Sequence, residues 1–129
     1  MEPIDLSKNE LEVLRILWER KKLKPAEIQD AFSWTIENAT LRSTLFNLVE
    51  EGHVTRSLDG KAFRYAARVP KATLLQATSR ALARVFSGGS TKELLLQLVE
   101  TEDIAPSDLE FIRASATRRA TKTGKKRTP

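Results

Sequence analysis

Apolar side chains recur at helical spacing from the start of the chain. Leu11, Leu14 and Trp18, with Val13 and Leu17, predict a first helix with one broad apolar face. Just ahead of it, Ser7-Lys-Asn-Glu10 has the spacing of a capping box, and Leu6 and Leu11 that of a hydrophobic staple. The helix should end near Lys21, where Lys21-Lys-Leu-Lys24 breaks the period. Pro25 suits the first position of a short second helix over 25–32, with Ile28 and Phe32 facing inward. Ser33-Trp-Thr-Ile36 reads as a short strand or a loop. A third helix begins between Thr35 and Asn38, turns Leu41, Leu45, Leu48 and Val49 to the core, and stops at Gly52.

The period then changes to that of strands. Val54 to Leu58 and Lys61 to Ala67 flank Asp59-Gly60, a type I′ hairpin signal. That turn would pair Leu58 with Lys61, Arg56 with Phe63 and Val54 with Tyr65, leaving Thr55, Ser57, Ala62 and Arg64 on the wetter face. Three helices and a hairpin in this order are what a winged helix-turn-helix needs. The fold expected is mostly α with a small β-hairpin wing, the wing domain covering residues 1–69.

A second section follows at Pro70. Leu74, Thr78, Ala81, Leu82 and Val85 form one helix face ending at Gly88-Gly89. Ser90-Thr-Lys-Glu93 repeats the capping-box spacing before Leu94, Leu95, Leu98 and Val99. Pro106 opens a last helix with Leu109 and Ile112. Residues 70–116 are too few to bury these leucines alone. They must pack on the same chain's wing domain or on a second copy. The two-fold habit of helix-turn-helix proteins favours the copy, which makes Leu74, Leu82, Val85, Leu94, Leu95, Leu98, Leu109 and Ile112 the expected dimerisation residues. Residues 117–129 carry no apolar side chain beyond Ala120 and are expected to be a disordered basic tail.

Composition sharpens this picture mainly by exclusion. Of the 129 residues, 40% are hydrophobic and 30% charged, as in a soluble protein. No apolar run approaches the roughly 20 residues of a membrane span, and the acidic start, Met1-Glu-Pro-Ile-Asp-Leu, is no secretory signal. Without cysteine there is no disulfide, thiolate metal site or cysteine nucleophile. A cytoplasmic protein without cofactor or metal is expected, and not an enzyme, since no catalytic constellation or phosphate loop is present. The net charge of +5 divides unevenly. Residues 1–69 hold 11 Lys/Arg and 11 Asp/Glu, residues 70–112 hold 4 and 6, and residues 113–129 hold 7 and none. The basic excess therefore belongs to the end of the chain, and DNA binding by the wing domain must be argued from its pattern.

On the third helix, the side away from the leucines offers Thr40, Ser43 and Asn47, flanked by Arg42. Hydroxyls suit phosphates or bases, arginine suits a phosphate or the guanine O6/N7 edge, and asparagine suits adenine. Lys61 at the hairpin tip and Arg64 on its open face are phosphate candidates, with Arg56 beside Phe63. Phe46 at the edge of the helix either packs on the second helix or meets a thymine methyl. Glu50 and Glu51 would keep the end of the helix off the backbone. His53, Trp18 and Trp34 read as packing residues.

Several segments together resemble the penicillinase repressor family of bacterial regulators (BlaI/MecI type). They are Leu6-Ser-Lys-Asn-Glu-Leu-Glu-Val-Leu-Arg-Ile-Leu-Trp-Glu, Thr40-Leu-Arg-Ser, Leu48-Val-Glu-Glu-Gly-His-Val, Phe63-Arg-Tyr, Val85-Phe-Ser-Gly-Gly and Leu98-Val-Glu-Thr-Glu-Asp-Ile. The resemblance spans Leu6 to Arg113. It implies a homodimer that covers a palindromic double-stranded DNA operator, reads it with the third helix and touches its backbone with the wing. It also implies relief by proteolysis in the first dimerisation helix, triggered by a membrane-bound sensor protease. The scissile pair in such relatives is Asn-Phe, whereas the matching position here is Arg80-Ala81. Asn47 stands where the family often has a basic residue. The absence of C-terminal cysteines argues against copper sensing by the route of the family's copper-responsive branch. A wing domain used only for protein–protein contact stays open as the alternative, because residues 1–69 are electrically neutral.

Overall fold

The computed structural model describes residues 5–123. Helices α1 (Lys8–Arg20), α2 (Pro25–Ala31) and α3 (Asn38–Glu50) precede an antiparallel hairpin of β1 (Val54–Asp59) and β2 (Ala62–Ala67). Helices α4 (Lys71–Ser87), α5 (Thr91–Thr101) and α6 (Pro106–Thr123) follow. The capping box closes as the sequence predicts: Ser7 Oγ accepts from the Glu10 N–H at 3.1 Å, and the Ser7 N–H donates to Glu10 Oε1 at 2.8 Å. Val13, Leu14 and Leu17 of α1, joined by Ile16, meet Ile28 of α2, Leu41, Leu45 and Leu48 of α3, and Val54 in one core without solvent. Leu6 is buried with them, whereas Leu11 lies off the centre of that face and stays exposed. The α2–α3 segment is a loop, not a strand.

The hairpin forms where expected but two residues out of the expected register. Asp59 pairs with Ala62, Leu58 with Phe63, Arg56 with Tyr65 and Val54 with Ala67, so the turn residues are Gly60-Lys61. Gly60 has φ +68° and Lys61 a negative φ. A positive φ at the first central residue alone is the type II′ pattern, for which glycine is suited, in place of type I′. A slip of two keeps every side chain on its face, so the two faces of the ribbon are those predicted. The α1–α2 linker adds a third strand one residue long: the Leu23 N–H donates to Tyr65 O at 3.0 Å, and the Tyr65 N–H returns the bond at 2.8 Å.

The second section departs from expectation in three places. Leu74 is only 6% exposed and belongs to the wing-domain core, so it is not free to dimerise. Trp18 Nε1 donates to Val69 O at 2.9 Å, which draws the first turn of α4 against the domain. At Ser90 half of the second capping box forms: Oγ accepts from the Glu93 N–H at 3.1 Å, while the Ser90 N–H goes to Ser87 O. Finally, α6 continues through Thr117–Thr123, where disorder is expected from the want of apolar residues; alanine and arginine there are good helix formers. Residues 124–129 of that basic tail lie outside the described residues.

Candidate nucleic-acid interface

The start of α3 is fixed by the loop before it, since its N-cap, Glu37, makes no side-chain cap. Glu12 of α1 is the main anchor. One of its oxygens, Oε2, accepts from the Ser33 N–H and hydroxyl, both at 2.8 Å, and from Arg15 Nη2 at 2.8 Å; Oε1 accepts from Arg15 Nε at 3.0 Å. The Arg15 hydrogen bonds, helped by Ser33 and opposed by burial, hold the Glu12 carboxyl at a pKa of about 2. Trp34 Nε1 donates to Asn9 Oδ1 at 3.0 Å, its ring stands edge-on to Phe32, and Lys8 Nζ sits 4.7 Å from its centre. Gln29 Nε2 donates to Ile36 O at 2.8 Å. None of these anchors stands out in the sequence, because those that join the loop to α1 and α2 link residues 7 to 26 positions apart without a periodic signal.

So held, α3 buries Leu41, Thr44, Leu45 and Leu48 and exposes Thr40, Arg42, Ser43, Phe46 and Asn47. Thr44 is kept inward by a bond from its hydroxyl to Thr40 O at 2.8 Å. Phe46 does not pack away against α2; it is 61% exposed. It lines a groove of about 680 Å³ between the start of α2, the flank of α3 and the wing. That groove brings together Arg42, Arg56 and Lys61 with Lys24, a cation that the sequence reading did not single out. Thr40, Ser43 and Asn47 are not among its lining residues.

The wing cations differ in their freedom. Lys61 occupies the exposed turn. Arg56 lies over the Phe63 ring at 4.4 Å, which keeps its charge and orients it. Arg64 is bonded to Asp59 through Nε and lies 3.7 Å from Glu27 of α2. The Arg64 guanidinium holds the Asp59 carboxyl below its ordinary pKa, and Asp59 in turn raises that of Arg64. Its charge is thus balanced within the chain, and it reaches from the wing towards α2. Arg15 likewise pairs with both Glu12 and Glu19 of α1. Although the domain is neutral as a whole, Lys24, Arg42, Arg56 and Lys61 are gathered on one side.

In the second section Leu82 and Leu94 are half-buried, while Val85, Leu95, Leu98, Leu109 and Ile112 are exposed. The sequence reading missed Leu75, Phe86, Leu96 and Phe111, which are also exposed, Phe111 at 68%. Ala81 is buried in the middle of α4 and Arg80 is exposed beside it. Among the described residues no His, Cys, Asp or Glu cluster could hold a metal ion, and no helix is long and apolar enough to cross a membrane.

A helix-turn-helix whose third helix presents a polar face beside a cationic wing defines a winged-helix DNA-binding regulator of transcription. The chain belongs to the penicillinase repressor family, whose model matches residues 6–118. It is 28% identical over 113 residues to the methicillin resistance regulatory protein MecI of Staphylococcus aureus, covering 84% of this chain and 90% of that one. It is 20% identical over 106 residues to the penicillinase repressor of Bacillus licheniformis, covering 81% and 83%. In fold it is similar to a mutant of S. aureus MepR bound to an oligodeoxyribonucleotide, with a TM-score of 0.53 at 18% identity over 94% of this chain and 82% of that one.

Proposed function

We propose that this chain represses transcription as a homodimer on a palindromic operator. The observation that carries the reading is the exposed row Thr40, Ser43 and Asn47 on α3, flanked by Arg42 and by the cations Arg56 and Lys61 of the wing groove. Short donors on a helix one groove wide can reach base edges, while Arg42, Arg56 and Lys61 bond phosphates and set the register. Arg64 has the weaker claim to a phosphate, because binding one would compete with Asp59 and Glu27. Support for a dimer comes from α5 and α6. Among the described residues neither helix buries a side chain within the chain, and their exposed Leu95, Leu96, Leu98, Leu109 and Ile112 would be an unusually large apolar surface on a monomer. A second copy supplies the cover and a second reading head, as a two-fold operator requires.

Protection mapping on DNA upstream of the chain's own gene tests the reading. A symmetric footprint is expected, lost on Arg42→Ala. Equal binding to any duplex, unaffected by Arg42→Ala, would sink it and favour a wing used for protein contact.

Relief by a sensor protease is the finer part of the proposal. A cut between Arg80 and Ala81 would separate each reading head from α5 and α6. With Ala81 buried in mid-helix, α4 must open first. Mass spectrometry of the chain from derepressed cells should find a fragment ending at Arg80; an intact chain under derepression rules the cut out.

A further inference from the structure

The neutral wing domain leaves a question of affinity. Salt-dependent DNA binding comes from cations that displace counterions from phosphates. The wing domain gathers Lys24, Arg42, Arg56 and Lys61 but carries as many acids as bases, whereas residues 113–129 carry seven cations and no acid. Much of that cationic run is not a loose end, because α6 extends to Thr123. At about 100° per residue, Leu109, Ile112, Ala116 and Ala120 fall in one stripe along α6. Arg118 lies on the opposite side, and Arg113 and Arg119 lie on the two flanks. All three arginines are exposed. The Arg113 contact with Glu110, at 3.9 Å, is between two exposed groups and is therefore weak. Arg118 bonds the neutral hydroxyl of Ser115 at 3.1 Å, and no ion pair to it is seen among the described residues. A copy packed on the apolar stripe would not cover Arg118.

We infer that α6 is a second DNA-binding element: its apolar stripe meets the second copy, and Arg113, Arg118 and Arg119 contact duplex phosphates outside the bases that α3 reads. The inference rests on the DNA-binding reading above, but its test separates the two. Affinity is measured against salt for the full chain and for the triple variant Arg113→Gln, Arg118→Gln, Arg119→Gln, on operator and on random duplex. A dimer loses six such cations, and each phosphate contact contributes about 0.9 to the log–log salt slope, so the slope should fall by about 2 to 5. Binding near 0.15 M salt should weaken by roughly tenfold or more on both duplexes, with their ratio unchanged. A slope change below about 1 overturns the inference. If operator and random duplex bind alike, the operator reading fails while the slope still decides the role of α6. Mass in solution checks that the variant remains associated. If it does not, the double variant Arg118→Gln, Arg119→Gln, which leaves Arg113 in place, must show a slope loss of about 1 to 3. Loss of binding to anionic phosphatidylglycerol vesicles with an unchanged duplex slope would assign α6 to a membrane surface and also overturn the inference.

Discussion

Glu12→Gln is the perturbation that best tests how the reading helix is held. The carboxylate is 7% exposed and takes four hydrogen bonds, two from Arg15 and two from Ser33. A glutamine keeps the shape but aims an N–H₂ at donors on one side and removes the charge that Arg15 needs. Folding lowers the Glu12 pKa from 4.5 to about 2. At about 1.4 kcal/mol per unit this would be about 3.5 kcal/mol; Arg15 is 42% exposed, and solvent screening reduces the figure to about 2 kcal/mol. Because the folded pKa is the lower one, this stability is complete above about pH 4.5 and is lost as the pH falls through 2. Urea denaturation at pH 7 should therefore separate wild type and variant by about 2 kcal/mol, and by less than half of that at pH 3. Thermal midpoints at pH 7 should differ by roughly 5–10 °C. Freed from Ser33, the loop would also hold α3 less firmly, so operator affinity should drop several-fold. A difference under about 0.5 kcal/mol at pH 7, or one that does not shrink by pH 3, would refute the electrostatic account of this anchor.

Other expectations follow from single residues. Leu48→Ala opens a cavity in the solvent-free core and should cost about 2–5 kcal/mol by chemical denaturation. Gly60→Ala forces a side chain to φ +68° at the wing turn and should cost about 1 kcal/mol; no loss would argue against the type II′ turn. Ile112→Asp should convert a dimer to monomer in sedimentation and make operator binding weaker and non-cooperative, whereas an unchanged mass would place the interface elsewhere. Arg64→Ala should loosen the wing from α2, raising hydrogen exchange in Ala62–Ala67 while costing less operator affinity than Lys61→Ala; the opposite ranking would make Arg64 the phosphate contact.

The sequence makes the helices and the hairpin legible because each rests on local signals: the Ser7/Glu10 box, Pro25, the leucine period of α3 and Gly52. The register slips by two because Asp59-Gly60 and Gly60-Lys61 both satisfy a two-residue turn and put the same side chains on the same faces. Leu74 continues the face of α4 in sequence, but the Trp18 tether, 51 residues away, turns that first turn to the core. The Leu23–Tyr65 bridge involves one residue on its side and leaves no pattern. At the candidate interface, the residues of α3 follow from one helix face. The loss of Arg64 to Asp59 and Glu27, and the arrival of Lys24 in the groove, depend on how the wing folds over α2.

The tether between Trp18 and Val69, with Leu74 seated in the wing-domain core, has a bearing on which operators can be used. It ties the start of α4 to the reading head. Two heads joined through α4–α6 would then sit at a fixed distance and phase on the double helix. Inserting about five base pairs between half-sites would turn one of them to the far side of the duplex, half a turn away. Spacing would thus act as a second password alongside base sequence, and the indole–carbonyl bond as part of the caliper that reads it.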